Sequence, residues 1–392
     1  MIGQKQLFKL SLLILFLSQV FNLISPESSS LSKISWFMWI FICLYYSCIV
    51  CTEKKAFINN RFAFVLLLFW FINLISFCIS PKNVQSFMVE VETLVIFKSL
   101  TIALFSFFPF YYLTKSGYLN VSKFRVFLVL IVITSFANML YANVLQTKEA
   151  SSDHNVLNEA YYFVQLLPLI FIFFRGVKSY ILIIICMILT LFCMKRGAIL
   201  CSAVELLIYF YYLIKEDSYG KRHKGLILLL MVIIGCIGVY YIVGNDFLLE
   251  RLFETGSNSD KSGDIRKERY EILYYIFFNS ASYLEFLFGY GFAQTVTLGD
   301  GLAHQDWAEL LIDNGILGLA VYIFMIIYCV RALFCNSSKI TPILRFSLLC
   351  CISNWFLMAT YSMVYGSREC FLHFMTIGII LGYFSYFKYK IN

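Results

Sequence analysis

The sequence has few charged residues. Asp, Glu, Lys and Arg together make up 14% of its 392 residues, whereas hydrophobic residues make up 60% and the mean hydropathy is +0.79. A soluble globular protein has about 25% charged and about 45–50% apolar residues. This composition excludes an ordinary soluble domain and predicts an integral membrane protein.

Other absences narrow the class further. The thirteen cysteines show no metal-ligand spacing, and most, such as Cys43 and Cys186, lie inside apolar runs, where cysteine packs as a small hydrophobic side chain. The sequence has no internal repeat and no paired spans interrupted by Gly or Pro, which mark many transporters. The net charge of +8 comes from basic residues between the apolar runs, so no nucleic-acid partner is expected.

Apolar runs long enough to cross a membrane recur along the chain. A helix needs about 20 apolar residues to span a hydrocarbon core of about 30 Å. The expected fold class is therefore an all-α polytopic membrane protein, with residues 1–392 forming a single integral-membrane domain. Twelve spans are predicted, at residues 7–25, 34–51, 62–80, 94–113, 124–143, 160–175, 179–194, 197–214, 225–244, 307–330, 343–362 and 370–387.

Lysine and arginine are unevenly distributed between the two sets of connecting segments. If both termini are in the cytoplasm, nineteen of these residues lie on the cytoplasmic side. On the other side, leaving out the long polar loop of residues 245–306, there are only seven. Since cytoplasmic segments are enriched in these residues, we expect cytoplasmic termini and a periplasmic or extracellular location for the long loop.

The second part of this loop has a helical pattern. Between residues 265 and 288, apolar side chains recur at Ile272, Ile276, Tyr283 and Phe286. This spacing predicts one or two amphipathic helices that lie along the membrane surface.

The same segment carries two arginines that could bind a phosphate group. Arg266 and Arg269 are three residues apart on the predicted helix, so two guanidinium groups could bind one diphosphate through paired hydrogen bonds. The alternative is that each arginine extends to the membrane surface beside Glu268 or Glu271.

Lys195 and Arg196 lie in a very short turn between two predicted spans, on the expected outer face. Two cations with so little polar sequence around them must lie near the lipid headgroups. They lie on the outer side, where the usual enrichment of basic residues in cytoplasmic segments does not explain their presence. They are therefore candidates for binding an anionic substrate. Glu205 follows in the middle of the next span, where an ionisable group indicates a functional or helix-pairing role; we place it outside this site.

Three further ionisable residues mark the end of the long loop. His304 precedes the next span, and a histidine there could be a general base near neutral pH or a passive surface group. Asp306 and Glu309 also fit a capping box, in which the Asp side chain accepts from the Glu amide and the Glu side chain reaches back. Gly315 and Gly318 follow with a spacing that suits close helix packing.

Four motifs, in this order, resemble those of the bacterial O-antigen polymerases and the related O-antigen ligases. The resemblance spans roughly residues 185–325. Met194-Lys-Arg-Gly-Ala198 resembles their Ser-Arg-Gly turn, and Arg269-Tyr-Glu-Ile-Leu273 resembles their Arg-x-Glu-x-Trp motif. Phe288-Gly-Tyr-Gly-Phe292 resembles their Gly-x-Gly motif. The last motif, His304-Gln-Asp-Trp-Ala-Glu-Leu-Leu-Ile-Asp-Asn-Gly-Ile-Leu-Gly318, resembles their His-x-x-x-x-x-Leu…Gly-x-x-Gly signature.

The sequence also departs from the family pattern. Lys195 replaces the usual Ser, Leu273 replaces a common Trp, and Gln305 follows the histidine. A second frame, Arg266-Lys-Glu-Arg-Tyr270, fits the Arg-x-Glu motif as well, so both arginines of the helix stay candidates for the family arginine.

The resemblance implies glycosyl transfer on the outer face of the bacterial inner membrane, without a metal ion or other cofactor. The donor and the acceptor would both be polyprenyl-diphosphate-linked oligosaccharides, surrounded by membrane lipids. A chain-length regulator and a flippase are candidate protein partners. The leading function is polymerisation of O-antigen or capsule repeat units.

In such a reaction, negative charge grows on the departing diphosphate, and the acceptor hydroxyl loses a proton. His304 is the expected base, with Glu309 or Asp306 as an alternative base or as the group that orients His304. The cations expected to bind the diphosphate are Arg196, Arg269, Arg266 and Lys195.

Three alternatives stay open. An O-antigen ligase would transfer the glycan to lipid A core or to protein, and the motifs do not distinguish it from a polymerase. A lipid-linked repeat-unit flippase would also have about twelve spans. A structural or sensor membrane protein would not depend on His304.

Overall fold

The computed structural model of the chain describes residues 4–24, 30–53, 60–85, 90–150, 156–217, 221–222, 224–244, 261–301, 303–334 and 341–389. For some helical residues within these ranges, including 261–267, it describes the backbone alone. Residues 245–260, the first part of the long loop in the sequence, lie outside the described residues.

The described residues form helices, one short hairpin and a 3₁₀ turn. The hairpin pairs β1 (Asn83–Gln85) with β2 (Glu90–Glu92) in antiparallel register. The 3₁₀ turn covers Arg368–Cys370. The helices are α1 (Gln4–Ile24), α2 (Ser30–Thr52), α3 (Arg61–Ile79), α4 (Thr93–Phe105), α5 (Phe107–Lys115), α6 (Val121–Ala150), α7 (Ala160–Phe173), α8 (Val177–Phe192), α9 (Arg196–Lys215), α10 (Lys224–Val243), α11 (Lys261–Asn279), α12 (Tyr283–Phe288), α13 (Thr295–Leu298), α14 (Asp306–Leu333), α15 (Pro342–Tyr361) and α16 (Phe371–Tyr389).

Each predicted span corresponds to a helix, or to α4 and α5 together. Within the described part of the chain, seven segments are long and apolar enough to cross a membrane: α2, α3, α4–α5, α6, α9, α14 and α15. Shorter apolar helices occur in α1, α7, α8 and α16. An all-α polytopic membrane protein is thereby confirmed, and the number of twelve crossings stays a prediction.

Glycines allow the C-terminal helix to pack closely in the bundle. A Cβ atom on Gly378 of α16 would lie 2.5 Å from the carbonyl oxygen of Phe107, and one on Gly382 would lie 2.8 Å from the carbonyl oxygen of Tyr111. Residues four apart share a face of a helix, so the two glycines let the backbones of α16 and α5 approach each other. This contact fixes α16 in the centre of the fold.

The second part of the long loop contains two helices, α11 and α12, where one or two were predicted, and their position along the membrane surface stays a prediction. Ile272 and Tyr283 are exposed, whereas Leu273 and Phe277 are 1% exposed. Apolar side chains occur on both sides of α11, so periodicity alone could not identify the buried side. Leu273 and Phe277 form a small second core with Ala303, Ala308, Leu311 and Ile312, and Tyr270, Tyr274 and Phe286 pack against it.

Candidate active site

The helix that carries the last motif is broken at Gly315. Its backbone angles there are φ 64° and ψ −167°, so Asp306–Asn314 is a separate helical segment before the membrane-crossing part. A Cβ atom on Gly315 would lie 2.5 Å from the backbone of Leu287, a distance that only glycine permits. The sequence shows no paired broken spans, and its pattern does not mark this single break.

Gly318 lies in a close contact within the broken helix. A Cβ atom on Gly318 would lie 2.2 Å from the Cβ atom of Asn314 on the same helix. This contact occurs because the break turns the preceding segment back toward the span. The two glycines therefore shape the broken helix itself.

Asp306 is fully buried and binds a different part of the chain. Its Oδ1 atom accepts hydrogen bonds from the backbone N–H groups of Val364 (3.0 Å) and Tyr365 (3.1 Å), and its Oδ2 atom accepts one from the Tyr322 hydroxyl. The capping interpretation of Asp306 is wrong, because Gln305 occupies the N-cap position and Asp306 is the first residue of the helix. Asp306 instead anchors the loop after α15 to the start of α14.

Glu309 is also buried, and its carboxylate reaches back over the turn before the helix. Its Oε1 atom accepts from the backbone N–H of His304 at 2.9 Å, and the backbone N–H of Ala303 donates to the same carboxylate. The second half of the capping box, in which Glu309 reaches back, is thus present in modified form. The carboxylate fixes the backbone around His304.

His304 has an unusual backbone conformation. Its φ is 56°, in the left-handed region that residues with side chains seldom adopt. Such a conformation costs about 1–3 kcal/mol and persists only where surrounding contacts impose it. The bond from His304 to Glu309 is one such contact. The half-buried His304 side chain is therefore held at a defined place beside α14.

Arg269 lies against the same loop. A Cβ atom on Gly301 would lie 3.0 Å from Cζ and from both terminal nitrogens of Arg269, and Gly301 itself has φ 134°. The guanidinium group of α11 therefore packs on the backbone three residues before His304. The backbone of Arg266 belongs to α11, but its side chain is outside the described residues.

Tyr274 of α11 reaches the loop from the same helix. Its hydroxyl lies 3.5 Å from Oε1 of Gln305, next to His304. Burial raises the pKa of Tyr274, so at neutral pH it presents a neutral hydroxyl group to this region.

Lys195 and Arg196 lie at the junction of α8 and α9, and both are half-buried. The predicted turn is confirmed, because α8 ends at Phe192 and α9 begins at Arg196. A Cβ atom on Gly197 would lie 2.5 Å from the Tyr161 hydroxyl and 3.7 Å from Cβ of Tyr361. The start of α9 therefore packs against the C-terminal end of α15.

The end of α15 also contacts the start of α14. The indole N–H of Trp307 donates to the hydroxyl of Thr360 at 3.1 Å. Since Thr360 and Tyr361 are neighbours, Arg196 and the His304 loop lie at the same end of the helix bundle. The structure thus brings His304, Glu309 and Arg269 to one loop and places Lys195 and Arg196 at the same end.

Sequence reasoning missed Asp313. Its buried carboxylate accepts from the backbone N–H groups of Ala293 (2.9 Å) and Thr295 (3.2 Å), and so holds the segment that follows the Gly-Tyr-Gly motif. The signal was present, because Asp306, Glu309 and Asp313 are spaced i, i+3 and i+7 and share one helix face. Three acidic residues on one face of an apolar run indicate specific partners.

A network of neutral polar side chains joins three parts of the fold. Asn314 donates to Oδ1 of Asn73 at 2.9 Å and to the Tyr365 hydroxyl at 3.1 Å, and Tyr365 donates to the same Asn73 oxygen at 2.8 Å. These bonds connect α3, the broken helix and the loop after α15. They are contacts between distant residues, and no local motif marked them.

Glu205 lies away from this site. It is fully buried in α9, and the side-chain amide of Asn354 in α15 donates to its Oε1 at 2.6 Å. Of the two roles expected from the sequence, helix pairing is the one that this contact shows.

Comparison with known proteins agrees with the motifs. A family model described as O-antigen ligase matches residues 179–323, which run from α8 into α14. No curated protein matches the chain. The matched segment contains all four motifs, together with Lys195, Arg196, Arg269, His304 and Glu309. Over residues 179–323, the chain is therefore similar to the O-antigen ligase family, in agreement with the resemblance of its motifs.

Proposed function

We propose that the protein is a metal-independent glycosyltransferase that polymerises polyprenyl-diphosphate-linked repeat units on the outer face of the bacterial inner membrane. One observation carries this proposal: Arg269 and His304 converge on a single loop, and the buried carboxylate of Glu309 fixes the backbone of that loop. A cation and a base held at one place are what transfer from a diphosphate donor requires.

The cations act on the leaving group. As the bond between the anomeric carbon and the diphosphate oxygen breaks, its electron pair goes to that oxygen and negative charge grows there. Arg269 binds the departing diphosphate, together with Arg196 and Lys195 at the same end of the bundle. Arg266 is a further candidate for this role. Guanidinium groups suit it because their paired N–H donors match phosphate oxygens.

His304 acts on the acceptor. The acceptor hydroxyl oxygen forms the new bond to the anomeric carbon, and its proton goes to the imidazole ring. Glu309 and Asp306 serve as positioning residues in this scheme, since their carboxylates already accept hydrogen bonds from backbone groups. Because the carboxylates of Glu309 and Asp306 already accept these backbone hydrogen bonds, the imidazole ring of His304 is favoured as the base.

A ligase is the second candidate, because the matching family model is itself described as O-antigen ligase. Its chemistry at the donor would be the same, and only the acceptor would differ. A flippase is less favoured. The break at Gly315 removes one argument against it, because broken helices are common in transporters, but the family match supports a transferase.

The test is complementation of a polymerase-deficient strain, with the glycan ladder read on a gel. The chain should restore long glycans, and Arg269→Ala should abolish them while the protein still reaches the membrane. Glu268→Gln is the matched control, since Glu268 is an exposed neighbour on the same helix, and it should leave the ladder unchanged.

A second assay separates the candidates. Purified protein is given a lipid-linked repeat unit alone, or together with lipid A core. Products that lengthen without the core identify a polymerase, and products formed only with the core identify a ligase. No product in either case, combined with movement of the lipid across vesicles, would overturn the transferase proposal.

A further inference from the structure

A groove lies at the opposite end of α8 from Lys195 and Arg196. Its volume is about 810 Å³, within the range of about 300–1,000 Å³ typical of small-molecule sites. One wall is the start of α6, and the other is the turn between α7 and α8. The lining residues include Arg125, Val126, Val129, Arg175, Val177 and Lys178.

Three of these lining residues are cations, and none is acidic. Arg125, Arg175 and Lys178 are all exposed. The Nε–H group of Arg125 donates to the carbonyl oxygen of Phe173, which fixes the guanidinium group at the groove and uses one of its five N–H donors. Asp217 borders a neighbouring cavity that Arg175 also lines. The groove itself therefore presents a positive surface suited to an anion.

The remaining surface of the groove is apolar. Val126, Val129 and Val177 are exposed, although burying aliphatic side chains is normally favourable. α6 is long and apolar enough to cross a membrane, so its exposed valines face lipid chains. The groove thus combines a cationic rim with an apolar wall at the end of a membrane span.

The groove is separate from the candidate active site. α8 has 16 residues and rises about 1.5 Å per residue, so its two ends are about 24 Å apart. The groove lies at its first residues, and Lys195 follows its last residue. The two basic regions therefore lie at opposite ends of α8, about 24 Å apart.

We propose that this groove binds an anionic phospholipid of the adjacent leaflet. The lipid phosphate binds Arg125, Arg175 and Lys178, and an acyl chain lies along Val126 and Val129. Charge complementarity favours this occupant, because basic clusters beside a membrane span attract anionic lipids, and the apolar wall would be of no use to a free phosphate ion. The inference does not depend on the reaction at the other end of α8.

The test measures lipid binding by the purified full-length protein. Native mass spectrometry compares bound phosphatidylglycerol with bound phosphatidylcholine for the wild type and for the triple variant Arg125→Gln, Arg175→Gln and Lys178→Gln. We expect the wild type to prefer phosphatidylglycerol and the variant to bind it at least about tenfold more weakly, because three cations near the membrane surface are lost.

A matched control removes three positive charges elsewhere. Lys221, Arg222 and Lys224 are exposed and lie outside the groove; their substitution by glutamine should change binding less than about twofold. Equal losses in the two triple variants would overturn the site. Two results with the wild type alone would overturn the choice of ligand. One is equal binding of both lipids, and the other is displacement of the lipid by millimolar inorganic phosphate.

Discussion

At the scale of single residues, the site depends on how the backbone at His304 is held. The left-handed conformation at this residue places its side chain beside the loop on which Arg269 packs. Glu309 supports that conformation through the backbone N–H of His304. A substitution at position 304 therefore changes two things, the imidazole and the backbone preference, and an informative experiment has to separate them.

His304→Gly makes that separation. Glycine adopts positive φ without steric cost, so the loop should keep its shape while the base is lost. A positioned base contributes about 10²–10⁴-fold to rate, and we expect at most trace polymer on the glycan gel with unchanged protein in the membrane. A normal ladder from the glycine variant would show that only the backbone at this position matters.

Asp306→Asn tests how the start of α14 is fixed. A capping residue could be replaced by asparagine without harm. Asp306, however, accepts from Val364, Tyr365 and Tyr322, and an asparagine NH₂ group would face one of these donors. An unsatisfied buried group costs about 1–3 kcal/mol, so the variant should melt at a lower temperature in detergent. Wild-type stability of Asp306→Asn would contradict this role of the buried carboxylate.

At the scale of elements, the broken helix organises the site. The break at Gly315 separates the segment that carries Asp306, Glu309 and Asp313 from the span that crosses the membrane. Each of these acids holds a different stretch of backbone. The segment thus works as a buried polar support beneath the loop, and the following span provides the membrane anchor.

Gly315→Ala should disrupt this arrangement. The φ of 64° and the contact of 2.5 Å with Leu287 both oppose a side chain, so we expect a loss of stability of more than about 1–3 kcal/mol. Gly235→Ala is the control, because nothing lies within 4 Å of a Cβ atom there; alanine is favoured over glycine in a helix by about 1 kcal/mol. Thermal unfolding in detergent measures the melting temperature of each variant. Equal melting temperatures for Gly315→Ala and Gly235→Ala would contradict the role of the break.

The sequence predicted the helices well because the hydrocarbon thickness sets their length. It also predicted Arg269, His304 and the Lys195–Arg196 turn as candidates, since their neighbourhoods are recognisable locally. It could not predict the partners of Asp306, because Val364 lies 58 positions away, and the local capping pattern pointed elsewhere. The break at Gly315 likewise depends on the approach of Leu287, a contact that no sequence periodicity encodes.

At the scale of the whole molecule, every proposed role assumes which face the loop occupies. The asymmetry of Lys and Arg predicts that Ser282, between α11 and α12, lies outside the cytoplasm and that Ser116, after α5, lies inside. Alkaline phosphatase fused after Ser282 should be active, and the same reporter fused after Ser116 should be inactive. The reverse pattern would place the candidate active site in the cytoplasm and exclude the proposed reaction.

The hairpin of α7 and α8 has a consequence for the surrounding bilayer. The two helices have 14 and 16 residues, so they extend about 21 and 24 Å. α7 is almost entirely buried in the bundle, whereas α8 exposes Ile181, Ile184 and Ile188. A hydrocarbon core of about 30 Å should become thinner beside α8, because mismatch is relieved by local deformation of the lipids. Lipid headgroups should therefore sink toward the membrane centre next to Lys195 and Arg196. A lipid-linked diphosphate diffusing in that leaflet would be lowered toward these cations before the protein touches it.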